Sequence, residues 1–345
     1  MDMKVIENNR KDNEIIIRIN TVDDLWYLKN LLGNDDLILV TVFRRTEQND
    51  DLNRSKTTER KKIKVKIKID KIDFQPYTDK LRISGEIVEG ENTGSHQSAL
   101  IGIDDEIKII KFLDNQDMKL IDEAENNYYG NNVFFISMDD ENAIICNLKS
   151  YGIQDIGTVY SGKSGKYFDS GYNDSSYLNE LVKSIKNIKN ATTVIIIGPG
   201  FEHSKLYNKF RLDPYFNKMD IYDIATTENG KRGIYEFLDN PKSEEIIKNS
   251  RLARDEKIIS EFLKGLNKEN LSIYGYGDIK KYAESNMIRD LLISEEKFRS
   301  PETKYLLDIL SGSASVHIIS KFTESGEIIK NLGGFGAILR FAIQN

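Results

Sequence analysis

Apolar residues in the first 128 positions fall into short runs separated by polar turns, with one helical segment near the start. The runs predict five strands, Glu14–Ile19, Leu37–Arg44, Lys61–Phe74, Lys80–Glu89 and Ile107–Leu113. A helix is predicted over Val22–Leu32, because Asn20 or Thr21 can cap its start and Gly33 follows its end. Several short strands after a single helix indicate a small β-barrel.

The strand predicted over Lys61–Phe74 has the most regular alternation in the chain. Its central part reads KIKVKIKID from Lys62 to Asp70, which places four lysines on one face and four β-branched residues on the other. Residues on the same face lie about 6.8 Å apart, close to the phosphate spacing of single-stranded RNA. The alternative is that the lysines only solvate an outer face or protect an edge, and the lysines alone favour this alternative.

From residue 129 onward, strands alternate with helices. The strands predicted between residues 129 and 248 are Val133–Ile136, Ala143–Leu148, Thr193–Gly198 and Met219–Ala225, and the helices are Ser176–Ile188 and Glu202–Phe210. The first two strands form a hairpin, and the later alternation indicates a mixed sheet.

The last segment continues the alternation. Its predicted helices are Arg251–Leu266, Pro301–Ser311, Glu327–Leu332 and, entered through a glycine turn, Ile273–Ser285. Its predicted strands are Arg289–Ile293, Val316–Ile319 and Ala337–Ile343. The fold class is therefore multi-domain α+β and α/β, with domains predicted over residues 1–128, 129–248 and 249–345.

Composition narrows the class of protein. The chain has 345 residues, of which 39% are hydrophobic and 30% charged, and no apolar run approaches the ~20 residues that span a bilayer. The polar N-terminal sequence has no signal-peptide core, so we expect a cytoplasmic protein without membrane contact. The single Cys146 excludes an internal disulfide, and its apolar neighbours predict a buried thiol.

Charge is unevenly distributed. The net charge of −6 excludes a chain that is basic throughout, yet residues 41–71 carry eleven Lys and Arg against five acids. Such a block indicates a surface for phosphates; the alternative is a solvated loop. The three histidines and one cysteine give no zinc spacing, and no nucleotide-binding motif is present. We therefore expect no nucleotide to bind this chain itself.

Several motifs in order resemble the archaeal Pelota family, whose paralogues are the class-one translation release factors. They are DDLWYLKNLL (Asp23–Leu32), the segment FRRTEQNDDLNRSKTTERKKIKV, ENTGSHQSALIG (Glu91–Gly102), the PGF turn, YGYGDIKKYAESNMIRDLLISEEKFR (Tyr274–Arg299) and GEIIKNLGGFGAILRF. The resemblance implies an Sm-like β-barrel, then a ribonuclease-H-like α/β domain, then an L7Ae-like α/β domain.

The resemblance also implies a function. Family members act in the ribosomal A site on stalled ribosomes, in rescue, subunit dissociation and no-go decay. The implied partners are the ribosome, mRNA, a GTPase of the elongation-factor-one-alpha type and a ribosome-recycling ATPase, with the chain acting as a monomer. Release factors hydrolyse peptidyl-tRNA through a GGQ triplet. No GGQ occurs in this sequence, so hydrolysis is not expected.

Candidate site residues follow from the same resemblance. In the family a basic loop, here Arg44–Arg60, reaches the mRNA channel. The residues expected to contact RNA are Arg44, Arg45, Arg54, Lys56 and Arg60, since Arg can bind phosphate with two hydrogen bonds and stack on bases. The GTPase contact would involve Lys163, Lys166 and the turn Pro199, Gly200 and Phe201. The PGF sequence can equally be a structural turn between strand and helix.

An alternative function is a divalent-metal-dependent endoribonuclease in the first domain, an activity that the resemblance also suggests. Metal-assisted cleavage of a phosphodiester needs carboxylates near an electropositive groove. Asp23 and Asp24 are the obvious pair, and a divalent cation would be the cofactor. The alternative for these acids is a purely structural role, because acids are favoured in the first turn of any helix.

Overall fold

The computed structural model describes residues 3–9, 11–45, 60–76, 78–126, 132–162, 174–189, 191–247 and 250–342. The chain divides into two compact units, Met1–Tyr128 and Tyr129–Asn345. The three-domain division expected from the sequence stays a prediction. No helix among the described residues is both long and apolar enough to cross a membrane.

The first unit is a seven-stranded antiparallel sheet with two helices. Its strands are β1 (Lys4–Asn9), β2 (Glu14–Arg18), β3 (Leu37–Arg45), β4 (Arg60–Phe74), β5 (Lys80–Glu89), β6 (His96–Gly102) and β7 (Glu106–Ile110), and its helices are α1 (Val22–Leu31) and α2 (Asn115–Glu125). The strand order is β1-β2-β7-β3-β4-β5-β6. The sequence pattern predicted four of these strands closely, extended β7 past its end, and missed β1, β6 and α2.

Helix α1 begins where the sequence predicts. The Thr21 hydroxyl accepts a hydrogen bond from the Asp24 amide at 3.3 Å, and the Asp24 carboxylate accepts one from the Thr21 amide at 2.9 Å. This reciprocal pair is a capping box, which satisfies amides that the first helical turn would otherwise leave unpaired. The helix buries Leu25, Trp26 and Leu28 against the sheet, and each such side chain contributes about 1.5–3 kcal/mol by leaving water.

The second unit contains a five-stranded mixed sheet. Its strands are β8 (Val133–Met138), β9 (Asn142–Lys149), β10 (Gly152–Tyr160), β11 (Thr193–Gly198) and β12 (Asp220–Ala225), with helices α3 (Asp174–Lys186), α4 (Glu202–Leu212), α5 (Gly230–Asp239) and α6 (Lys242–Ile246). Strands β8, β11 and β12 run parallel, whereas β8, β9 and β10 pair antiparallel. The predicted mixed sheet is confirmed, and Cys146 is buried in its core.

The rest of the second unit forms a four-stranded sheet in the order β13-β16-β14-β15. Its elements are α7 (Arg251–Lys264), β13 (Ser272–Tyr274), α8 (Tyr276–Glu284), β14 (Ile288–Ser294), α9 (Pro301–Leu310), β15 (Ser315–Ile319), α10 (Glu324–Asn331) and β16 (Phe335–Leu339). Strands β14 and β15 are parallel, and β16 is antiparallel to both of its neighbours.

Three elements predicted in this region have different bounds in the structure. The segment Ile273–Ser285, predicted as a helix entered through a glycine turn, has that turn at Gly275, where φ is 82°, but Ile273 and Tyr274 before it belong to β13 and the helix begins at Tyr276. Helix α10 begins three residues earlier than predicted, because the Thr323 hydroxyl accepts the Gly326 amide at 2.9 Å and caps it there. The last strand begins at Phe335, two residues earlier than predicted.

A buried carboxyl lies where α7 packs against α10. The Ser325 hydroxyl donates to Glu256 Oε2 at 2.6 Å, while Glu256 Oε1 is buried with no hydrogen-bond partner among the described residues. Burial is the main cause that raises the pKa of Glu256 to about 7; the hydrogen bond from Ser325 opposes this rise, and the nearby charges of Asp255, Glu324 and Asp239 contribute to it. The folded chain therefore holds this proton more tightly than the unfolded chain.

Replacing Glu256 by Gln should change how the stability of the second unit depends on pH. The stabilisation from the Glu256 proton is fully present below pH 4.5, the ordinary glutamate value, and is lost as the pH rises through about 7. We expect a loss on the order of 3 kcal/mol in the free energy of unfolding across this window, absent in Glu256→Gln. Urea unfolding across this pH range measures it.

Glu245→Gln, at an exposed glutamate of α6, is the matched control and should keep the pH dependence of the parent chain. Parallel stability curves for the parent and Glu256→Gln would contradict the buried-proton interpretation.

Candidate functional site

The basic end of the first unit lies where β3 and β4 pair. Arg44 pairs with Lys61 and Arg45 with Arg60, so these four residues occupy facing strand ends. The chain between them, including the candidate residues Arg54 and Lys56, lies outside the described residues. The structure therefore brings Arg44, Arg45 and Arg60 to the base of one hairpin.

The lysine face of β4 is not uniformly cationic. The predicted alternation is confirmed, with Ile63, Val65, Ile67 and Ile69 buried and Lys62, Lys64 and Lys68 exposed. Lys68 forms an ion pair with Asp35 at 2.8 Å, and Lys66 forms one with Glu89. The hydrogen bond that the Lys68 ammonium donates to Asp35 raises the pKa of Lys68. Acids thus neutralise the part of the strand that is farther from the hairpin end.

Lys64 lies nearer the hairpin end and forms no ion pair with any residue that the structure describes. Positive charge along the β3–β4 hairpin is accordingly concentrated at the paired ends of these strands, where Arg44, Arg45, Arg60 and Lys61 lie. For Lys66 and Lys68 the geometry favours the structural interpretation that the sequence left open.

A second candidate site lies at one edge of the mixed sheet. We define the carboxyl edge as the ends of four strands, Met138 of β8, Tyr160 of β10, Gly198 of β11 and Ala225 of β12. These strands point the same way, because β8, β11 and β12 are parallel and β10 is antiparallel to β9. In open α/β sheets, ligands bind outside the carboxyl ends of the strands.

The PGF turn projects from this edge. A side chain at Gly198 would place its Cβ 1.8 Å from the Met138 carbonyl oxygen, so only glycine fits beside β8 there. Gly200 has a φ of 75°, in the left-handed region that favours glycine. The turn leaves the Phe201 side chain 82% exposed immediately before α4. A fixed, exposed aromatic ring is a frequent anchor for a protein partner.

The side chains of His203, Ser204 and Asp223 form a polar network that hydrogen-bonds to the backbone of the turn. The His203 ring accepts or donates at both nitrogens: Nδ1 lies 2.5 Å from Asp223 Oδ1, and Nε2 lies 3.1 Å from the Gly200 carbonyl oxygen. The Ser204 hydroxyl donates to Asp223 Oδ2 at 2.7 Å. The turn is therefore held by α4 and β12 together.

The loop with Lys163 and Lys166 joins the same edge. Both residues lie outside the described residues, but the chain enters their segment after β10 and leaves it at the start of α3. Tyr177 near the start of α3 donates to the Asp139 carbonyl oxygen at 3.3 Å, just beyond β8. Tyr160, 74% exposed, is three strand spacings from β11, about 14 Å. The two parts of the predicted GTPase contact thus start from one edge.

Asp23 and Asp24 lie in a structural environment. Asp23 is 0% exposed, and the Asp24 carboxylate accepts three hydrogen bonds, from the amides of Asn20 and Thr21 and from the Thr21 hydroxyl at 2.7 Å. Burial raises the pKa of Asp24 to about 6. The part of the chain that the structure describes contains no group of three or more His, Cys, Asp or Glu able to hold a metal ion. This geometry favours the capping role, and the metal-binding role stays a prediction.

Sequence reasoning missed the pairing of His203 with Asp223. The sequence left His203 outside any metal motif and gave no role to Asp223. Twenty residues and two element boundaries separate the two, and no local periodicity links them. The only available signal was the position of a histidine two residues after the PGF turn.

Two family profiles and a full-length relative match this chain. The Pelota N-terminal domain profile matches residues 3–125, and the eRF1 domain 3 profile matches residues 252–343. A protein pelota homolog of Picrophilus torridus is 45% identical over 343 residues, 99% of this chain and 100% of that protein.

Two solved structures are also similar. The crystal structure of the Thermoplasma acidophilum Pelota protein is 30% identical, with a TM-score of 0.82 over 99% of this chain and 100% of that one. The structure of S. cerevisiae Dom34 is similar in fold, with 20% identity and a TM-score of 0.54 over 99% of each chain. Identity of 45% along the whole length, with the matching fold, shows that the chain belongs to the Pelota family.

Proposed function

We propose that this chain rescues stalled ribosomes. It enters the ribosomal A site beside the mRNA and promotes subunit dissociation and no-go decay, without hydrolysing peptidyl-tRNA. Membership of the Pelota family along the whole chain is the observation that carries this proposal. The absence of a GGQ triplet supports the lack of hydrolysis, because release factors position their water through that triplet.

The first unit would meet the RNA. Arg44, Arg45 and Arg60 lie at the facing ends of β3 and β4, and Arg54 and Lys56 belong to the segment between them. Acids neutralise Lys66 and Lys68, so a polyanion is attracted to the hairpin end rather than to the whole lysine face. This distribution lets a chain of net charge −6 approach RNA in one orientation.

The carboxyl edge would meet a translational GTPase of the elongation-factor-one-alpha type. Phe201 supplies an exposed aromatic anchor, and Lys163 and Lys166 belong to the loop that starts from the same edge. The similar yeast protein is described as a termination-like factor involved in RNA quality control pathways and interacting with Hbs1. A ribosome-recycling ATPase completes the proposed set of partners, and the chain acts as a cytoplasmic monomer.

The alternative function is a divalent-metal-dependent endoribonuclease that cleaves stalled mRNA. The adjacent carboxylates of Asp23 and Asp24 lie in the same unit as the basic hairpin, and one divalent cation would be the cofactor. The capping role of Asp24 makes this alternative the weaker one.

Removing charge at the hairpin should weaken ribosome binding. We expect replacement of Arg44, Arg45, Arg54, Lys56 and Arg60 by Gln to reduce co-sedimentation with stalled ribosomes bearing short mRNA. The logarithmic salt slope should fall by about 0.7 for each lost phosphate contact. Lys66→Gln with Lys68→Gln, in the same sheet but already neutralised by acids, is the control and should change little. Equal association of all variants at every salt concentration would contradict the proposal.

Removing the Phe201 ring should weaken binding of the GTPase. We expect Phe201→Ala to raise the dissociation constant of the GTP-bound elongation-factor-one-alpha-type partner at least about tenfold, as for an aromatic anchor. Isothermal titration measures this. Leu212→Ala, at an 84% exposed apolar residue at the other end of α4, should leave the constant unchanged. Equal affinities for both variants would exclude the PGF turn from the contact.

The endoribonuclease alternative has its own test. It predicts that Asp23→Asn with Asp24→Asn abolishes Mg²⁺-dependent cleavage of single-stranded RNA by the full chain. Asp117→Asn is the matched control, because the buried Asp117 is the third residue of the α2 capping box, as Asp24 is in α1. Circular dichroism must show both proteins folded, because both substitutions alter a capping box. Cleavage that persists in the double variant excludes these two acids as metal ligands.

A further inference from the structure

His203 contacts two acceptors across its ring. The side chain is only 4% exposed, two residues after the 82% exposed Phe201. Its Nδ1 lies 2.5 Å from Asp223 Oδ1, and its Nε2 lies 3.1 Å from the Gly200 carbonyl oxygen. A carbonyl oxygen can only accept, and an ionised carboxylate also only accepts. Both ring nitrogens must therefore donate, which requires one proton more than a neutral imidazole carries.

Loss of that proton forces a choice between the two hydrogen bonds. If the neutral ring kept its proton on Nε2, the Nδ1 lone pair would face the Asp223 carboxylate at 2.5 Å. The Ser204 hydroxyl oxygen lies 3.4 Å from Nδ1, but this hydroxyl donates to Asp223 Oδ2 at 2.7 Å and has no second proton for the ring. If it kept the proton on Nδ1, the charge-assisted bond to Asp223 would survive and the bond to Gly200 would be lost. Because hydrogen bonds to charged groups are the stronger kind, the neutral ring keeps Asp223 and releases the turn.

Among the described charged residues around the His203 ring, Asp223 is the one that contacts it. Strands β8 and β11, which pack on α4, carry no charged residue. On α4 itself, Glu202 pairs with Lys205 at 2.7 Å. The other charged residues of α4 are Lys209 and Arg211, and those of the elements packed against it are Asp220 on β12, Asp174, Glu180, Lys183 and Lys186 on α3, and Lys218 after α4. Of the described groups, only Asp223 hydrogen-bonds to the ring with a charge.

We propose that His203 is a proton-dependent positioning residue, which holds the Gly198–Phe201 turn in the form that presents the Phe201 ring to a protein partner. The carboxyl edge would then bind its partner more tightly with His203 doubly protonated. The inference rests on the proposed function only in taking the GTPase as that partner.

The free protein provides the first test. Nitrogen-15 labelling of histidine gives signals from three residues in the full chain, and His203→Phe identifies those of His203. Spectra are recorded from about pH 6 to about pH 8.5, a range that extends above the ordinary titration of histidine. We expect both ring nitrogens to be protonated wherever the turn keeps its described form, and the Phe201 backbone amide to shift with the same midpoint as the loss of the Nε2 proton. A neutral ring at about pH 6 with the turn unchanged would overturn the proposal.

Asp223→Asn separates a proton-dependent role from a merely structural one. An amide can donate to Nδ1 as well as accept from it, so a neutral ring can then keep its bond to Gly200. We expect the Phe201 amide in this variant to be insensitive to pH. The same midpoint and amplitude in the variant as in the parent chain would overturn the role of Asp223.

Affinity for the GTP-bound partner provides the second test. From about pH 6 to about pH 8.5, the dissociation constant of the parent chain should rise about tenfold, as expected for the loss of one hydrogen bond with a charged donor. The constant of Asp223→Asn should change less than about twofold, and Leu212→Ala should follow the parent chain. Titrations in the partner itself cancel in this comparison.

The two tests separate the inference from the proposed function. A turn that follows the protonation of His203, with partner affinity indifferent to Phe201→Ala, supports the positioning role and removes the GTPase from this edge. A ring that never carries two protons overturns the positioning role, even where Phe201→Ala weakens binding.

Discussion

The contact between Gly198 and the Met138 carbonyl sets the shape of the carboxyl edge. Parallel pairing of β8 with β11 brings the ends of these strands together, and any side chain at position 198 would collide with the neighbouring backbone. The chain must then turn before α4 begins, which it does through Gly200 in a left-handed conformation. Phe201 is left outside the core as the residue before the helix. The exposed ring is thus a consequence of backbone geometry, and the buried His203 network secures the conformation that geometry allows.

Local ion pairs determine where positive charge remains on the β3–β4 hairpin of the first unit. Asp35 and Glu89 neutralise Lys68 and Lys66, so the positive charge of the β3–β4 hairpin lies towards the paired ends of the two strands, at Arg44, Arg45, Arg60 and Lys61. Coulomb attraction falls with distance and with salt, and a compact block of charge therefore orients a polyanion better than the same charge spread along a strand. An acidic chain can meet RNA at one place without binding it everywhere.

The sequence pattern predicted the structural features that depend on residues close together along the chain. The alternation of β4, the capped start of α1 and the mixed sheet of the second unit all follow from local periodicity or capping chemistry. It missed α2 and α5, and it included Ile273 and Tyr274, which belong to β13, in a helix entered through a glycine turn. The candidate residues of the basic loop and of the PGF turn were predicted from the resemblance to the Pelota family. The pairs His203–Asp223 and Glu256–Ser325 join residues 20 and 69 positions apart, and only the tertiary fold brings such groups together.

The two candidate surfaces share one construction. Each begins at strand ends that the fold fixes, and each continues into a segment with two lysine or arginine residues, Arg54 and Lys56 within residues 46–59 and Lys163 and Lys166 within residues 163–173. Binding residues are often carried on loops while a rigid scaffold sets their position. At the carboxyl edge the proposed partner contact would then have two contributions: Lys163 and Lys166 would act on the rate of encounter, whereas burial of the Phe201 ring would govern how long the complex lasts. Control of the turn through His203 would therefore act on the lifetime of the complex and leave the rate of encounter to the lysines.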